Sequence, residues 1–453
     1  MPDPTPCDLT DVVVTGVGLV CPLGAGPQAV WEAVAAGASG VRAVPEWVAA
    51  GLPIPIAGRV LDFDPKQYVK PRKALKVMSR ETQLGFAAAE LAWADARLED
   101  SGVAPERLGV LTGSNMFCPN VEEMAAAYHV CDDGARQFDF SAWGVAGLKE
   151  LFPLWMLKYL PNMTPCHIGI AHDARGPSNS VVAGDVSGLL ALIEAADAIR
   201  RGHADVMVAG GVSTAIEMMD LMWHGDARLS RRVDSPAEAC RPFEIDRDGT
   251  VGAEAAAMFV LERRDFAAAR GARGLATLKG YGRRCEASAA SLAPRGTAVR
   301  QAIVAALGMG GTAPHDLAFV AAHGIGGVHD DRIEAQAIAD AVGDVPVAAL
   351  KSHYGHCGAG SGAVDLAVAL EALRRGHVPP TRNYDRPDPE CPVNVSSRVR
   401  ATAGRDCLAL SHRATGQAAA LLVTWEGDAD DADGESPTIV RWRPGPAAPG
   451  PRS

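Results

Sequence analysis

Two kinds of apolar spacing alternate along the chain. Residues 12–14 are a β-branched run leading into Thr15-Gly16-Val17-Gly18, which predicts a buried first strand ending in a tight turn. Residues 29–37 and 81–97 carry apolar side chains three and four apart and predict helices. Residues 176–188 read as a strand followed by a sharp turn, 189–201 as a helix closed by Gly202, and 205–211 as a strand and turn. Asp185 and Ser187 near the start of that helix and Arg200 and Arg201 in its last turn complement its dipole. Strands that alternate with helices in this way predict an α/β fold. At 453 residues the chain exceeds what one core normally holds, so two linked halves are expected.

Composition narrows the function classes. The chain is 48% hydrophobic but only 5% aromatic, which suits tightly packed helix-on-sheet layers. A net charge of −11 argues against a general nucleic-acid binder, because phosphate contacts need a basic field. Ten cysteines without a CxxC pair suggest neither a disulfide framework nor a zinc site, so no metal is expected and the thiols read as reduced. The opening MPDPTPCDLTD lacks the basic start and apolar run of an export signal, and no uncharged apolar stretch approaches a membrane span, so a cytoplasmic protein is expected, not bound to a membrane. Gly16 and Gly18 resemble part of a dinucleotide loop, but a third glycine in register would fall at Cys21, leaving a plain strand and turn.

Three further stretches stand out. Lys66, Lys70, Arg72, Lys73, Lys76 and Arg80 form the one dense basic cluster of an acidic chain, either a solvated face or a docking patch for an acidic partner. Residues 115–165 gather Phe138, Phe140, Trp143, Phe152, Trp155 and Tyr159, enough to cover a cavity or a subunit interface, or to form a satellite core. Beyond residue 427 the acidic and Pro/Gly-rich composition reads as a disordered tail, 428–453.

Motifs in a fixed order then point to a family. Residues 176–188 and the strand ending at Gly211 resemble the active-site stretch of the β-ketoacyl-acyl-carrier-protein synthases, the thiolase-like condensing enzymes. The resemblance extends from the strand and turn of residues 12–24, through Arg241-Pro242-Phe243, Asp246-Arg247-Asp248-Gly249 and Glu254, to His323-Gly324, Gly326, Asp331 and Glu334, and on to Lys351-Ser352 and Gly355-His356. It implies a thiolase-like α/β fold of two pseudo-duplicated halves in a layered α/β/α/β/α core, with an N-terminal half over 1–270 and a C-terminal half over 271–427. It implies no bound cofactor, the phosphopantetheine of an acyl carrier protein as substrate arm, and as partners that carrier and a ketosynthase-like subunit in a homo- or heterodimer. By position, His323 and His356 match the family's two histidines, and Lys351 and Glu334 its lysine and glutamate.

The chain departs from the family where the chemistry is concentrated. Asp185 occupies the place of the nucleophilic cysteine, and a carboxylate attacking a thioester would give an anhydride less stable than the thioester it replaces. The family's HGTGT loop reads His323-Gly324-Ile325-Gly326-Gly327, and its gating GFGG loop reads Arg413-Ala414-Thr415-Gly416. Asp185 is then a helix cap paired with a protonated histidine, or a group that orients a histidine or serves as a general base. Cys357 is a substitute thiol in principle, but the resemblance puts it on the histidine's loop rather than at the helix start. Unaided condensation is disfavoured. The leading expectation is a non-condensing partner similar to chain-length factors; the alternative is an enzyme that decarboxylates malonyl-carrier protein or transfers an acyl group directly through His323, His356 and Lys351. A carrier-binding scaffold using Lys66 to Arg80 is a third.

Overall fold

The computed structural model describes residues 11–116, 119–132, 134, 137–217, 229–287 and 294–427. The expected tail, 428–453, lies outside these. Ten strands carry the architecture: β1 (Val12–Cys21), β2 (Leu108–Gly113), β3 (Ser178–Val181), β4 (Val206–Thr214), β5 (Glu254–Arg263), β6 (Ala276–Cys285), β7 (Leu317–Ala321), β8 (Pro346–Ala348), β9 (Asp406–His412) and β10 (Gln417–Trp425). Their order in the first half is β1-β5-β4-β2-β3, and in the second β6-β10-β9-β7-β8, the same path repeated. Directions repeat too: β2 runs parallel to β3 and β4, and β7 parallel to β8 and β9, while β5 and β10 pair antiparallel with both neighbours. The halves join edge to edge where Val13 faces Thr277 and Val14 faces Ala276.

The helices repeat with the strands. Helix α1 (Arg80–Asp95) falls between β1 and β2, and α2 (Ser187–Arg200) between β3 and β4; α3 (Thr297–Gly310) and α4 (Ser361–Arg374) fall at the matching places of the second half. Helices α2 and α4 touch each other and strands of both halves, while α1 packs on β1, β4 and β5 and α3 on β6 and β10. Every residue of α4 before Arg374 is buried, as befits a helix packed against both halves of the sheet. This is the layered α/β fold expected.

The first strand differs from its sequence reading. Instead of turning at Gly16-Val17-Gly18, β1 runs on to Cys21, with only a bulge between Val14 and Gly16. The glycines serve helix packing: a Cβ on Gly18 would stand 1.9 Å from the carbonyl oxygen of Ala88, and one on Gly16 2.4 Å from that of Ala92. The aromatic stretch within 115–165 supplies a small satellite core, in which Met124, Ala127 and Leu151 pack with Trp143 and Trp155, while Phe140 and Phe152 stay exposed.

Candidate active site

The segment after β3 turns sharply because Gly184 adopts φ of +65°, and the short turn Gly184–Val186 feeds into α2. Ser187 locks this entry: its Oγ donates to the Gly184 carbonyl and accepts from the Ala183 N–H. Asp185 does not cap α2, whose start has no side-chain cap bond. Its Oδ1 instead lies 3.4 Å from Nε2 of His356, so the expected cap is absent and the carboxylate stands beside a histidine.

His323 follows β7. Glu334, on the helix Val328–Val342, accepts the N–H groups of His323 and Gly324 at 2.6 and 2.7 Å, and Asp331 of the same helix accepts those of Ile325 and Gly326 at 3.1 Å. Two buried carboxylates thus fix the loop from below. The His323 side chain is 1% exposed, and neither ring nitrogen has a hydrogen-bond partner among the described residues. Its ring faces that of His356 edge-on, centroids 5.5 Å apart. Burial, then the positive charge of Lys351 and the neighbouring histidines, holds His323 well below the usual imidazole range, so it is neutral at pH 7. His356 is pinned through its backbone to the other half: its N–H donates to Val251 and its carbonyl accepts from Ala253.

Lys351 gives its ammonium to Asp365, with Nζ 2.5 Å from Oδ2 in a fully buried pair that Tyr354 joins by donating its hydroxyl. It therefore acts on the histidines as a fixed charge behind them. Cys357 is fully buried on the histidine loop, and burial pushes its thiol well above the ordinary range, which disfavours the thiolate a nucleophile needs. Lys66, Lys70, Arg72, Lys73 and Lys76 are all exposed, without an ion pair among the described residues, whereas Arg80 is bound to Glu254 at 2.9 Å.

Sequence reasoning missed three contributors. Asp365 had one visible signal, an acid among the Ala, Val and Leu residues of 363–370. His412, the last residue of β9, stacks edge-on against His323 with centroids 4.8 Å apart and places Nε2 3.6 Å from Glu334 Oε2. Arg413 lays its side chain over Gly184, beside Asp185. Both stand at or next to the altered gating loop, which was the available clue.

As an electrostatic unit the site offers a carboxylate, a nearby imidazole and a second, neutral, unsatisfied imidazole. Such a pair of imidazoles can hold a thioester oxygen as it gains charge. Asp185, His323 and His356 also each present one ligand atom within 4.8 Å of the others, a donor set open to a divalent cation after closure to the roughly 3.4 Å spacing of a tetrahedral site with ~2.1 Å bonds.

Comparison with known proteins gives the family and the fold. Residues 9–267 match the family described as "Beta-ketoacyl synthase, N-terminal domain" and residues 275–385 its C-terminal domain. The ketoacyl synthase alpha subunit of the tetracenomycin polyketide synthase of Streptomyces glaucescens is 35% identical over 395 residues, 86% of this chain and 90% of that protein. The 3-oxoacyl-[acyl-carrier-protein] synthase 2 of Synechocystis sp. is 31% identical over 397 residues, 86% of this chain and 92% of that protein. Among solved structures, the ishigamide ketosynthase/chain length factor superposes with a TM-score of 0.80 at 26% identity, covering 92% of this chain and all of that one. A type II polyketide synthase acyl-carrier protein in complex with its ketosynthase gives 0.78 at 25% identity, covering 93% of this chain and all of that one. The fold is the thiolase-like ketosynthase fold, and no helix among the described residues is long and apolar enough to cross a membrane. Matched in both halves, and with relatives more than 30% identical along most of its length, the chain belongs to the β-ketoacyl synthase family.

Proposed function

We propose that this chain works on carrier-bound thioesters of polyketide or fatty acid biosynthesis without forming an acyl-enzyme, and that its reaction is the decarboxylation of malonyl-carrier protein. The observation that carries the reading is His323: buried, neutral and with neither ring nitrogen bonded among the described residues. Leaving a polar group so costs roughly 1–3 kcal/mol, a cost that makes sense where a ligand oxygen completes the bond. In the reaction the thioester oxygen rests against His323 and His356. The bond to the carboxylate carbon breaks, carbon dioxide leaves, and the electron pair passes into the enolate whose oxygen the imidazoles hold. Protonation of its carbon by a proton from solvent then gives acetyl-carrier protein, with Asp185 standing 3.4 Å from Nε2 of His356. Asp185 replaces the nucleophile's position with a group that cannot store the acyl chain.

The test is incubation of purified protein with malonyl-carrier protein, following the carrier by mass spectrometry. Conversion to the acetyl form, lost in His323→Ala, is the expected outcome. An unchanged malonyl carrier would overturn the reading and leave the partner-subunit role. That second reading has its own support: β3 ends the sheet with an exposed outer edge, beside exposed Ile170 and Val182, a face suited to a ketosynthase-like subunit. The resemblance to a ketosynthase/chain length factor structure fits the same role.

A further inference from the structure

Arg413 opens the turn between β9 and β10 with its backbone fixed on both sides: its N–H donates to Gln417 and its carbonyl accepts from Gly416, each at 2.9 Å. Its side chain lies against Gly184. A Cβ built on Gly184 would stand 2.7 Å from Nε and 2.8 Å from Cζ of Arg413. The guanidinium therefore covers the residue immediately before Asp185, while His412, immediately before Arg413, packs on His323. Other arginines withdrawn from solvent have found partners. Arg80, Arg241, Arg247 and Arg270 bind carboxylates, and Arg200 and Arg400 donate to carbonyls. Arg413, only partly exposed, has neither kind of partner among the described residues. A five-donor planar cation beside a reactive centre is complementary to a planar anion.

We infer that Arg413 binds the free carboxylate of a carboxyacyl thioester of the malonyl type while the thioester oxygen rests at His323 and His356. The inference rests on the reading above and names what discriminates its substrate. A second carboxylate beside Asp185 needs a compensating cation, and Arg413 is a cation next to that residue. The phosphate of the pantetheine arm is not the matching anion, because the full length of the arm separates it from the thioester. When carbon dioxide leaves, negative charge moves from the carboxylate to the oxygen held by the imidazoles, so Arg413 stabilises bound substrate more than the transition state.

The test uses the full chain and two probes, malonyl-pantetheine and acetyl-pantetheine, bound to wild type and Arg413→Gln, with matching melting curves establishing that both are folded. Wild type is expected to prefer the malonyl probe by about tenfold, the strength of one charge-assisted contact. In Arg413→Gln that preference disappears while acetyl binding is retained, and Arg413→Lys restores part of it. In turnover, the loss in Arg413→Gln falls on KM. Equal binding of the two probes by wild type, or a preference that survives in Arg413→Gln, would overturn the assignment. A preference that vanishes in Arg413→Gln with no decarboxylation by any variant would support Arg413 and refute only the decarboxylase reading.

Discussion

His412 and Glu334 form a buried pair beneath His323. Burial opposes charge on both, yet the Glu334 carboxylate lifts His412 above the ordinary imidazole value, and His412 with two backbone N–H groups holds Glu334 below the ordinary carboxylate value. For a histidine raised on folding, the stabilisation is complete below about pH 6.5, the unfolded value, and is lost as pH rises through the folded one. Glu334 has the opposite sign: its contribution is present above the unfolded carboxylate value and lost as pH falls through a lower folded value. The pair is therefore strongest in mildly acidic solution. His412→Phe, which strands a buried carboxylate, is expected to lose about 3 kcal/mol at pH 6 and less at pH 8. Urea unfolding at the two pH values checks this, and equal losses would mean that the pair is not charged as described.

Helix α1 and strand β1 show what the sequence could and could not disclose. Their existence followed from periodicity, because spacing of apolar residues reports which face is buried. The end of β1 did not follow, because Gly16 and Gly18 look the same in sequence whether they make a turn or admit a helix backbone. Gly18→Ala is expected to destabilise by about 2–3 kcal/mol, since the new methyl meets the Ala88 carbonyl, an immovable backbone atom. Gly308→Ala, in α3 with open space around it, should instead gain about 0.5–1 kcal/mol; thermal melts of the two variants give the comparison. The site divides in the same manner. His323, His356, Lys351 and Glu334 were legible through family motifs, whereas Asp365, His412 and Arg413 take their meaning from contacts between distant segments, which spacing along the chain does not encode.

The molecule as a whole is acidic, so its exposed cations are informative. Lys66, Lys70, Arg72, Lys73 and Lys76 lie together over the turns Pro65–Gln67 and Arg72–Val77 and the residues between them. A carrier protein with an acidic face would meet repulsion over most of this surface and attraction here. Lys70→Glu with Arg72→Glu is expected to weaken carrier binding about tenfold at low ionic strength, with a smaller effect at higher salt. Binding unaffected by the double reversal would place the carrier elsewhere.

The seam between the two repeated halves has a consequence for inheritance. The carboxylate is supplied by the first repeat and the imidazoles and guanidinium by the second, and the His356 loop is stitched across the divide to Val251 and Ala253. A gene severed at the join would pass on only fragments of this chemistry. A substitution in either repeat is expected to alter a site that both supply, although only two residue pairs join β1 to β6.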